Sequence, residues 1–204
     1  MTGRALVEVD VQKDFCEGGS LGVKGGNDVA VAVAEVVRER DYAFVVATQD
    51  WHVDPGDHFS DHPDFMATWP AHCRAGTPGA ELHSELPLDR IDATFRKGEH
   101  AAAYSGFEGT TAADPKRRTG RPDPDARVPL ADWLRDHGVT ELDVVGIATD
   151  HCVRATALDA VAAGFRTRVL LGLTAGVARE TTDRALEELR AAGADLVGQP
   201  VVRS

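Results

Sequence analysis

Hydrophobic and polar positions follow a repeating order along the chain, in which a short apolar run precedes an amphipathic segment. The apolar runs predict strands at 4–11, 43–50, 92–97, 141–147, 166–171 and 195–198. Apolar residues at helical spacing predict helices at 27–40, 129–138, 152–163 and 179–192. Asn27 or Asp28 is the expected N-cap of the first helix. This alternation predicts an α/β fold, with a doubly wound, mostly parallel sheet of about six strands and helices on both faces.

Two long connections interrupt this order. Residues 51–89 are rich in His, Pro, Asp and Gly, and residues 108–127 are polar and rich in Pro and Gly. A connection as long as the first, without regular structure of its own, is usually functional. The second is expected to be a flexible surface loop. A chain of 204 residues otherwise predicts a single domain over 1–204, into which 51–89 is inserted.

Charge and cysteine content narrow the functional class. The formal net charge of −11 argues against nucleic acid and against an anionic membrane surface as partners. No apolar run is long enough to span a bilayer, and the N-terminal residues lack the pattern of a signal peptide. Three cysteines without close spacing do not predict a disulfide framework, so the expected compartment is the reducing cytoplasm.

Three reactive side chains follow three of the predicted strands. Asp10, Lys97 and Cys152 all lie at carboxyl ends of strands, where ligands bind in parallel sheets. Cys152 falls in the predicted first turn of a helix, whose N-terminus stabilises a thiolate. A carboxylate that accepts the thiol proton and an ammonium group beside both would suit nucleophilic acyl chemistry. Each residue alone is equally consistent with a buried cysteine, a turn aspartate or a surface lysine.

The first long connection concentrates carboxylates and imidazoles. The segment from 50 to 72 supplies Asp50, His52, Asp54, Asp57, His58, Asp61, His62 and His72. Asp50 and His52 are two residues apart at a strand end, so their side chains share a face. Carboxylate with imidazole is a ligand set for Zn, Fe or Mn. A hydrophilic loop with solvated histidines explains the same composition equally well.

Aromatic residues lie close in sequence to these polar groups. Phe15, Trp69 and Tyr104 would form the walls of a pocket for a flat ring, although core packing is the more common role of any one of them.

Five long motifs resemble the nicotinamidase/pyrazinamidase family, within the isochorismatase-like cysteine hydrolases. They are VDVQKDFCEGGSL at 9–21, VVATQDWHVDPGDHFS at 45–60, WPAHCRAGTPGAELH at 69–83, RKGEHAAAYSGFEG at 96–109 and DVVGIATDHCVRATALDA at 143–160. The resemblance runs almost end to end. It implies the isochorismatase-like hydrolase fold, with 51–89 as a metal-binding loop.

The resemblance also implies roles for individual residues. The implied catalytic triad is Asp10, Lys97 and Cys152. The implied ligands of one divalent Fe, Zn or Mn ion are Asp50, His52, His58 and His72. The implied substrate pocket is lined by Phe15, Leu21, Trp69, Tyr104, Ile147 and His151. The backbone N–H groups of Ala148 and Cys152 would hold the oxyanion, beside a cis peptide bond between Ile147 and Ala148.

The implied activity is hydrolysis of nicotinamide to nicotinate and ammonia in NAD salvage, with pyrazinamide as a second small-molecule substrate. Carbamoyl-amide and ureidoacrylate hydrolases keep the same triad and remain alternatives. Isochorismatase-type enzymes, which cleave a vinyl ether without a cysteine, are disfavoured by Cys152. A non-catalytic metal or thiol sensor is an alternative of another class. The sequence leaves open whether the chain is a monomer or a homo-oligomer.

Overall fold

The computed structural model describes residues 3–39, 41–112 and 127–203. The strands within these ranges are β1 (Gly3–Val9), β2 (Phe44–Asp50), β3 (Ala93–Lys97), β4 (Thr110–Thr111), β5 (Val139–Ile147), β6 (Arg166–Ala175) and β7 (Asp195–Val197). The α-helices are α1 (Gly26–Glu39), α2 (Leu130–Asp136), α3 (Arg154–Ala162) and α4 (Arg179–Ala192).

The strands form one sheet in the order β4-β3-β2-β1-β5-β6-β7. All neighbouring pairs are parallel except β3 and β4, which are antiparallel. The prediction of a mostly parallel sheet is confirmed. Of the seven strands, β4 is the one that was not predicted from the sequence. Thr110 and Thr111 of β4 belong to the segment predicted as a flexible loop over 108–127, of which residues 113–126 lie outside the described part of the chain.

The place of β1 at the centre of the sheet explains why its sequence is apolar at almost every position. Ala5, Val7 and Val9 pack on one face of the sheet with residues of α2, α3 and α4. Leu6 packs on the other face with residues of α1. A parallel strand covered on both faces therefore reads as a continuous hydrophobic run. Glu8 is the exception, because this carboxylic acid lies on the same face as Leu6 and is fully buried.

Two helix starts differ from the prediction. Helix α1 begins at Gly26, so Asn27 and Asp28 lie inside its first turn and neither is the N-cap. The side chain of Glu17 instead accepts hydrogen bonds from the N–H groups of Gly25 at 2.5 Å and Asn27 at 2.7 Å. A carboxylate at this end also suits the helix dipole.

The helix predicted at 152–163 also starts later than expected. A π-helical turn, Thr149–Val153, precedes α3, which begins at Arg154. Cys152 therefore lies in a π-helical turn and not in the first turn of an α-helix. Such turns often occur at functional sites.

The amino ends of the strands carry charges that are already paired. Glu141 accepts hydrogen bonds from Arg4 and Arg166, and Asp143 binds Arg168 through two hydrogen bonds of 2.7 and 2.6 Å. A cavity of about 160 Å³ lies among these ion pairs. The charges of these three arginines and two carboxylates therefore largely neutralise one another. Within the described ranges, no helix combines the length and apolar character that a membrane span requires.

Candidate active site

The carboxyl ends of the sheet bring together the side chains that the sequence singles out there. Asp10 directly follows β1, Lys97 ends β3, and Cys152 lies five residues after β5. All three are buried, with 0%, 2% and 7% of their surface exposed. The parallel register of β1 with its neighbours places these ends at one edge of the sheet. The predicted convergence of carboxylate, ammonium and thiol is what the structure shows.

Lys97 lies at the centre of this group. Its Nζ atom is 2.9 Å from Oδ2 of Asp10 and 3.7 Å from Sγ of Cys152. It also donates a short hydrogen bond to Oδ1 of Asp50, at the end of β2. One buried ammonium group thus contacts two carboxylates and the thiol.

Asp10 is held by its own backbone and by a neighbour on β2. Its φ angle is 49°, a left-handed conformation that Asp tolerates better than most residues. Thr48 donates a 2.6 Å hydrogen bond from Oγ1 to Oδ1 of Asp10, and the Asp10 N–H donates to the same hydroxyl at 3.2 Å. These contacts leave Oδ2 of Asp10 facing Lys97. Thr48 was not among the residues predicted for the site.

Burial and charge set the protonation of this cluster. Burial raises the pKa of Asp10 and of the Cys152 thiol, and the charge of Asp50 adds to both increases, while Lys97 opposes them. Burial lowers the pKa of Lys97, but Asp10 and Asp50 outweigh that effect and hold it well above its ordinary value. The thiol is therefore protonated at neutral pH, and a basic carboxylate lies beside it to take the proton.

A cluster of imidazoles lies next to Asp50. One ring nitrogen from each of His52, His58 and His72 falls within 4.8 Å of the others, and all three residues are buried. Oδ2 of Asp50 is 3.6 Å from Nε2 of His52 and 3.7 Å from Nε2 of His72. The four residues implied as metal ligands are thus together. Burial raises the pKa of Asp50, but Lys97 outweighs burial and holds this pKa well below its usual range.

The imidazoles are oriented as metal ligands. The Nδ1 atoms of His52 and His72 lie 2.6 Å and 2.8 Å from the backbone carbonyls of Gly98 and Pro70, which leaves each Nε2 directed at Asp50. Backbone carbonyls commonly support metal-binding histidines in this way.

The cluster also contains polar atoms without partners. Nε2 of His52 and Nδ1 of His58 are buried and have no hydrogen-bond partner among the described residues. Burial, with the neighbouring histidines, lowers the pKa of His58 to about 4, so this ring is neutral at pH 7 and has a free lone pair. Buried nitrogens of this kind beside a carboxylate fit a divalent transition metal.

Two glutamines that were not predicted for the site hold the loop around it, and one of them, Gln12, also holds the backbone of Asp50. Gln12 accepts the Asp50 N–H at 2.8 Å and donates from Nε2 to the Asp50 carbonyl at 2.9 Å. Its Nε2 also reaches the carbonyl of Ala80 at 2.8 Å, as Nε2 of Gln49 does at 2.9 Å. These bonds tie the second half of the 51–89 connection to β2.

A cavity of about 480 Å³ opens onto both clusters. All six residues implied as pocket residues line it, namely Phe15, Leu21, Trp69, Tyr104, Ile147 and His151. Trp69 donates a 3.0 Å hydrogen bond to the hydroxyl of Tyr104 and meets the His151 ring edge-on at 5.2 Å. Phe15 lies 5.4 Å from the His72 ring, between centroids. The cavity therefore has flat aromatic walls, with Cys152 and His58 also in its lining.

Seven further residues of the cavity wall were not predicted from the sequence. They are Gly22, Val23, Lys24, Phe65, Ala103, Val177 and Arg203. Phe65 and Val177 are 57% and 46% exposed, and nothing in their local sequence distinguishes them from other surface apolar residues. Ala103 directly precedes Tyr104, a predicted wall residue. This adjacency is the one sequence signal that could have placed any of the seven in the cavity wall.

The turn that carries Cys152 is anchored to α4. The peptide bond between Ile147 and Ala148 is cis, as the resemblance implies. In the turn that follows, buried Asp150 accepts hydrogen bonds from the N–H groups of Val177 at 3.0 Å and Ala178 at 3.3 Å. It also accepts the hydroxyl of Thr181 in the first turn of α4.

Replacing Asp150 by alanine should lower the free energy of unfolding by about 2 kcal/mol, because it removes three partly buried hydrogen bonds at the start of α4. Urea denaturation followed by tryptophan fluorescence measures this loss. The control is Asp159→Ala, which removes an exposed carboxylate from α3 and should change stability by less than about 0.5 kcal/mol. Equal effects of the two changes would contradict the anchoring role.

Comparisons with known proteins agree with this geometry. An isochorismatase domain matches residues 4–200. The Mycobacterium tuberculosis nicotinamidase/pyrazinamidase is 54% identical over 195 residues, which cover 95% of this chain and 98% of that protein.

Two solved structures share the architecture. One from L. infantum, in complex with nicotinate, has a TM-score of 0.80 and 34% identity, and the match covers 99% of this chain and 96% of the other. The Pyrococcus horikoshii pyrazinamidase, in complex with zinc, has a TM-score of 0.75 and 38% identity, with 95% and 98% covered. With a domain match over nearly its whole length, the chain belongs to the isochorismatase family.

Proposed function

We propose that this protein is an amidohydrolase that converts nicotinamide to nicotinate and ammonia, and that it hydrolyses pyrazinamide in the same way. The observation that carries the proposal is that one cavity with aromatic walls is lined by Cys152 and Asp50 of the Lys97-centred cluster and by His58 and His72 of the histidine cluster. The relatives named nicotinamidase or pyrazinamidase support the choice of substrate.

The first half of the reaction forms a thioester. The flat ring lies between Phe15 and Trp69, and the amide carbon faces Cys152. Asp10 takes the thiol proton as sulfur attacks, and the backbone N–H groups of Ala148 and Cys152 stabilise the oxyanion. The carbon–nitrogen bond then breaks, and the nitrogen leaves as ammonia with the proton from Asp10.

The second half releases the acid. Asp10 takes a proton from a water molecule, which attacks the thioester carbon and expels the Cys152 thiolate. The thiolate recovers its proton, and nicotinate leaves. Lys97, 2.9 Å from Asp10 and 3.7 Å from Sγ, stabilises negative charge on whichever partner carries it.

The residues that would hold the metal are Asp50, His52, His58 and His72. When bound, a divalent transition metal supplies a Lewis acid that orients the substrate and polarises water. We propose Zn, Fe or Mn, which all accept imidazole and carboxylate ligands.

We place the reaction in NAD salvage in the cytoplasm. The three cysteines are free, and the proposed reaction needs Cys152 as a thiol, which a reducing compartment maintains.

An ammonia-release assay on the metal-loaded protein tests the proposed activity. Nicotinamide and pyrazinamide should each release one ammonia per molecule and yield the corresponding acid, while a carbamoyl amide should react at least about a hundredfold more slowly in kcat/KM. Faster release from the carbamoyl amide would favour a carbamoyl-amide hydrolase. Metal binding without ammonia from any of the three would indicate a sensor.

A further inference from the structure

The Lys97-centred cluster has the donor set of a second metal site. Asp10, Asp50 and Cys152 each direct one oxygen or sulfur atom into a space where these atoms lie within 4.8 Å of one another. All three residues are buried. Two carboxylates and a thiolate at this spacing are ligands that Zn²⁺ and Co²⁺ accept. Nothing in the proposed reaction requires a metal at this position.

The cation that fills this space is the ammonium group of Lys97. It contacts Oδ2 of Asp10 at 2.9 Å, Oδ1 of Asp50, and Sγ of Cys152 at 3.7 Å. Oδ2 of Asp10 is fully buried and faces the ammonium, yet it has no hydrogen bond of good geometry among the described residues. An oxygen that is close to a cation but poorly aligned with its N–H groups suits a spherical ion at least as well.

Asp50 connects the two clusters. Its Oδ2 lies beside the histidines, and its Oδ1 faces Lys97. Two-metal hydrolytic sites hold their ions about 3.5–4 Å apart, a spacing that one carboxylate spans when each oxygen binds a different ion. With a metal held at the histidines, Asp50 would lie between two cations, one of which is the side chain of Lys97.

We propose that Lys97 occupies the place of a second metal ion and thereby excludes thiophilic divalent cations from Asp10, Asp50 and Cys152. A metal bound there would hold the thiol as a ligand and neutralise the base, so neither could react. Exclusion by a tethered ammonium lets the chain carry a metal at the histidines without losing its nucleophile. The proposal rests on the proposed function only for this last consequence.

The test counts metal ions and does not require turnover. Purified wild type, Lys97→Met and the double variant Lys97→Met/Cys152→Ser are equilibrated with excess Co²⁺, desalted and assayed for cobalt per chain. Wild type should hold one ion and show no thiolate-to-cobalt charge-transfer band. Lys97→Met should hold two and show the band, and the double variant should lose the band. One ion and no band in folded Lys97→Met would overturn the proposal.

A matched change elsewhere controls for the loss of a lysine charge. Lys13 pairs with Glu81 at 2.5 Å on the surface, and Lys13→Met should hold one cobalt, as wild type does. If this variant also gained an ion, the extra metal would be non-specific and the proposal would fail.

Folding of Lys97→Met is itself informative, because the change leaves two carboxylates buried without their cation. If the variant folds only when metal is present in excess, with two ions per chain, a metal has replaced the ammonium and the proposal is supported. If it stays unfolded at every Co²⁺ concentration by tryptophan fluorescence, a metal does not replace the ammonium and the proposal is wrong.

A kinetic measurement adds a readout at the thiol itself. One extra equivalent of Zn²⁺, beyond that held at the histidines, should slow iodoacetamide alkylation of Cys152 about tenfold or more in Lys97→Met. The same addition should change the rate in wild type by less than about twofold. Equal slowing in both proteins would show that Lys97 does not exclude the ion.

Discussion

Replacing Cys152 by alanine should lower kcat for nicotinamide by at least about 10⁴-fold, since removing a catalytic nucleophile has effects of this size or larger. Cys152 is buried, with 7% of its surface exposed, and Nζ of Lys97 lies 3.7 Å from its Sγ. Metal content and the free energy of unfolding should stay close to wild type, because Cys152 is not among the proposed ligands.

The measurement combines steady-state ammonia release with intact-mass analysis after acid quench. Wild type should show a covalent nicotinoyl thioester during turnover, and Cys152→Ala should not. Cys16→Ala is a matched control, because Cys16 is also free and buried but lies in the layer beneath α1. Burial raises the pKa of Cys16 to about 12, so it is an inert thiol. A kcat for Cys152→Ala within about tenfold of wild type would contradict the nucleophile assignment.

The fold could be predicted from sequence where burial constrains every residue of an element. Strand β1 is covered on both faces, so its residues 5–7 are all apolar, and the prediction found it. Strand β4 has only two residues and exists through its pairing with β3, a contact that no local pattern encodes. Glu17, whose side chain caps α1, lies nine residues before the helix begins. The prediction considered only residues next to the helix start, and it was therefore wrong about the cap.

The site could be predicted at the strand ends but not within the long connection. Asp10 and Lys97 follow from the rule that parallel strands end at a common edge. Composition alone could not choose among the nine aspartates and histidines between 50 and 72, and the resemblance was needed for that choice. Their burial separates them, because His58 and His72 are buried whereas His62 is exposed. The path of the loop decides this, and the composition of the segment does not encode that path.

Glu8 belongs neither to the apolar core that the sequence predicts nor to the candidate active site, because nothing in the proposed reaction uses it. It lies on central strand β1, opposite Ala47 of β2 and Val145 of β5. Neither carboxyl oxygen has a hydrogen-bond partner among the described residues, and the side chain is fully buried. Burial alone raises the pKa of Glu8 from 4.5 to about 8. The folded chain therefore holds Glu8 as a neutral acid at pH 7.

Replacing Glu8 by glutamine should stabilise the fold increasingly as the pH rises. In the unfolded chain Glu8 loses its proton near pH 4.5, but in the folded chain only near pH 8. Between these values the native state binds more protons, so rising pH favours unfolding by about 1.4 kcal/mol per unit. The stabilisation by glutamine should be below about 1 kcal/mol at pH 5, about 3 at pH 7, and level off at 4–5 above pH 8.

Urea denaturation at intervals from pH 5 to 9, on wild type and Glu8→Gln, gives this difference directly, because titration of all other groups cancels between the two proteins. The matched control is Glu35→Gln, which changes an exposed glutamate of α1 and should produce a difference that does not vary with pH. A constant difference for Glu8→Gln would show that Glu8 is ionised in the folded chain, and so that a partner or water reaches its carboxylate. A rising difference would establish a neutral acid inside the sheet, because only a proton held until near pH 8 makes the native state lose stability over this range.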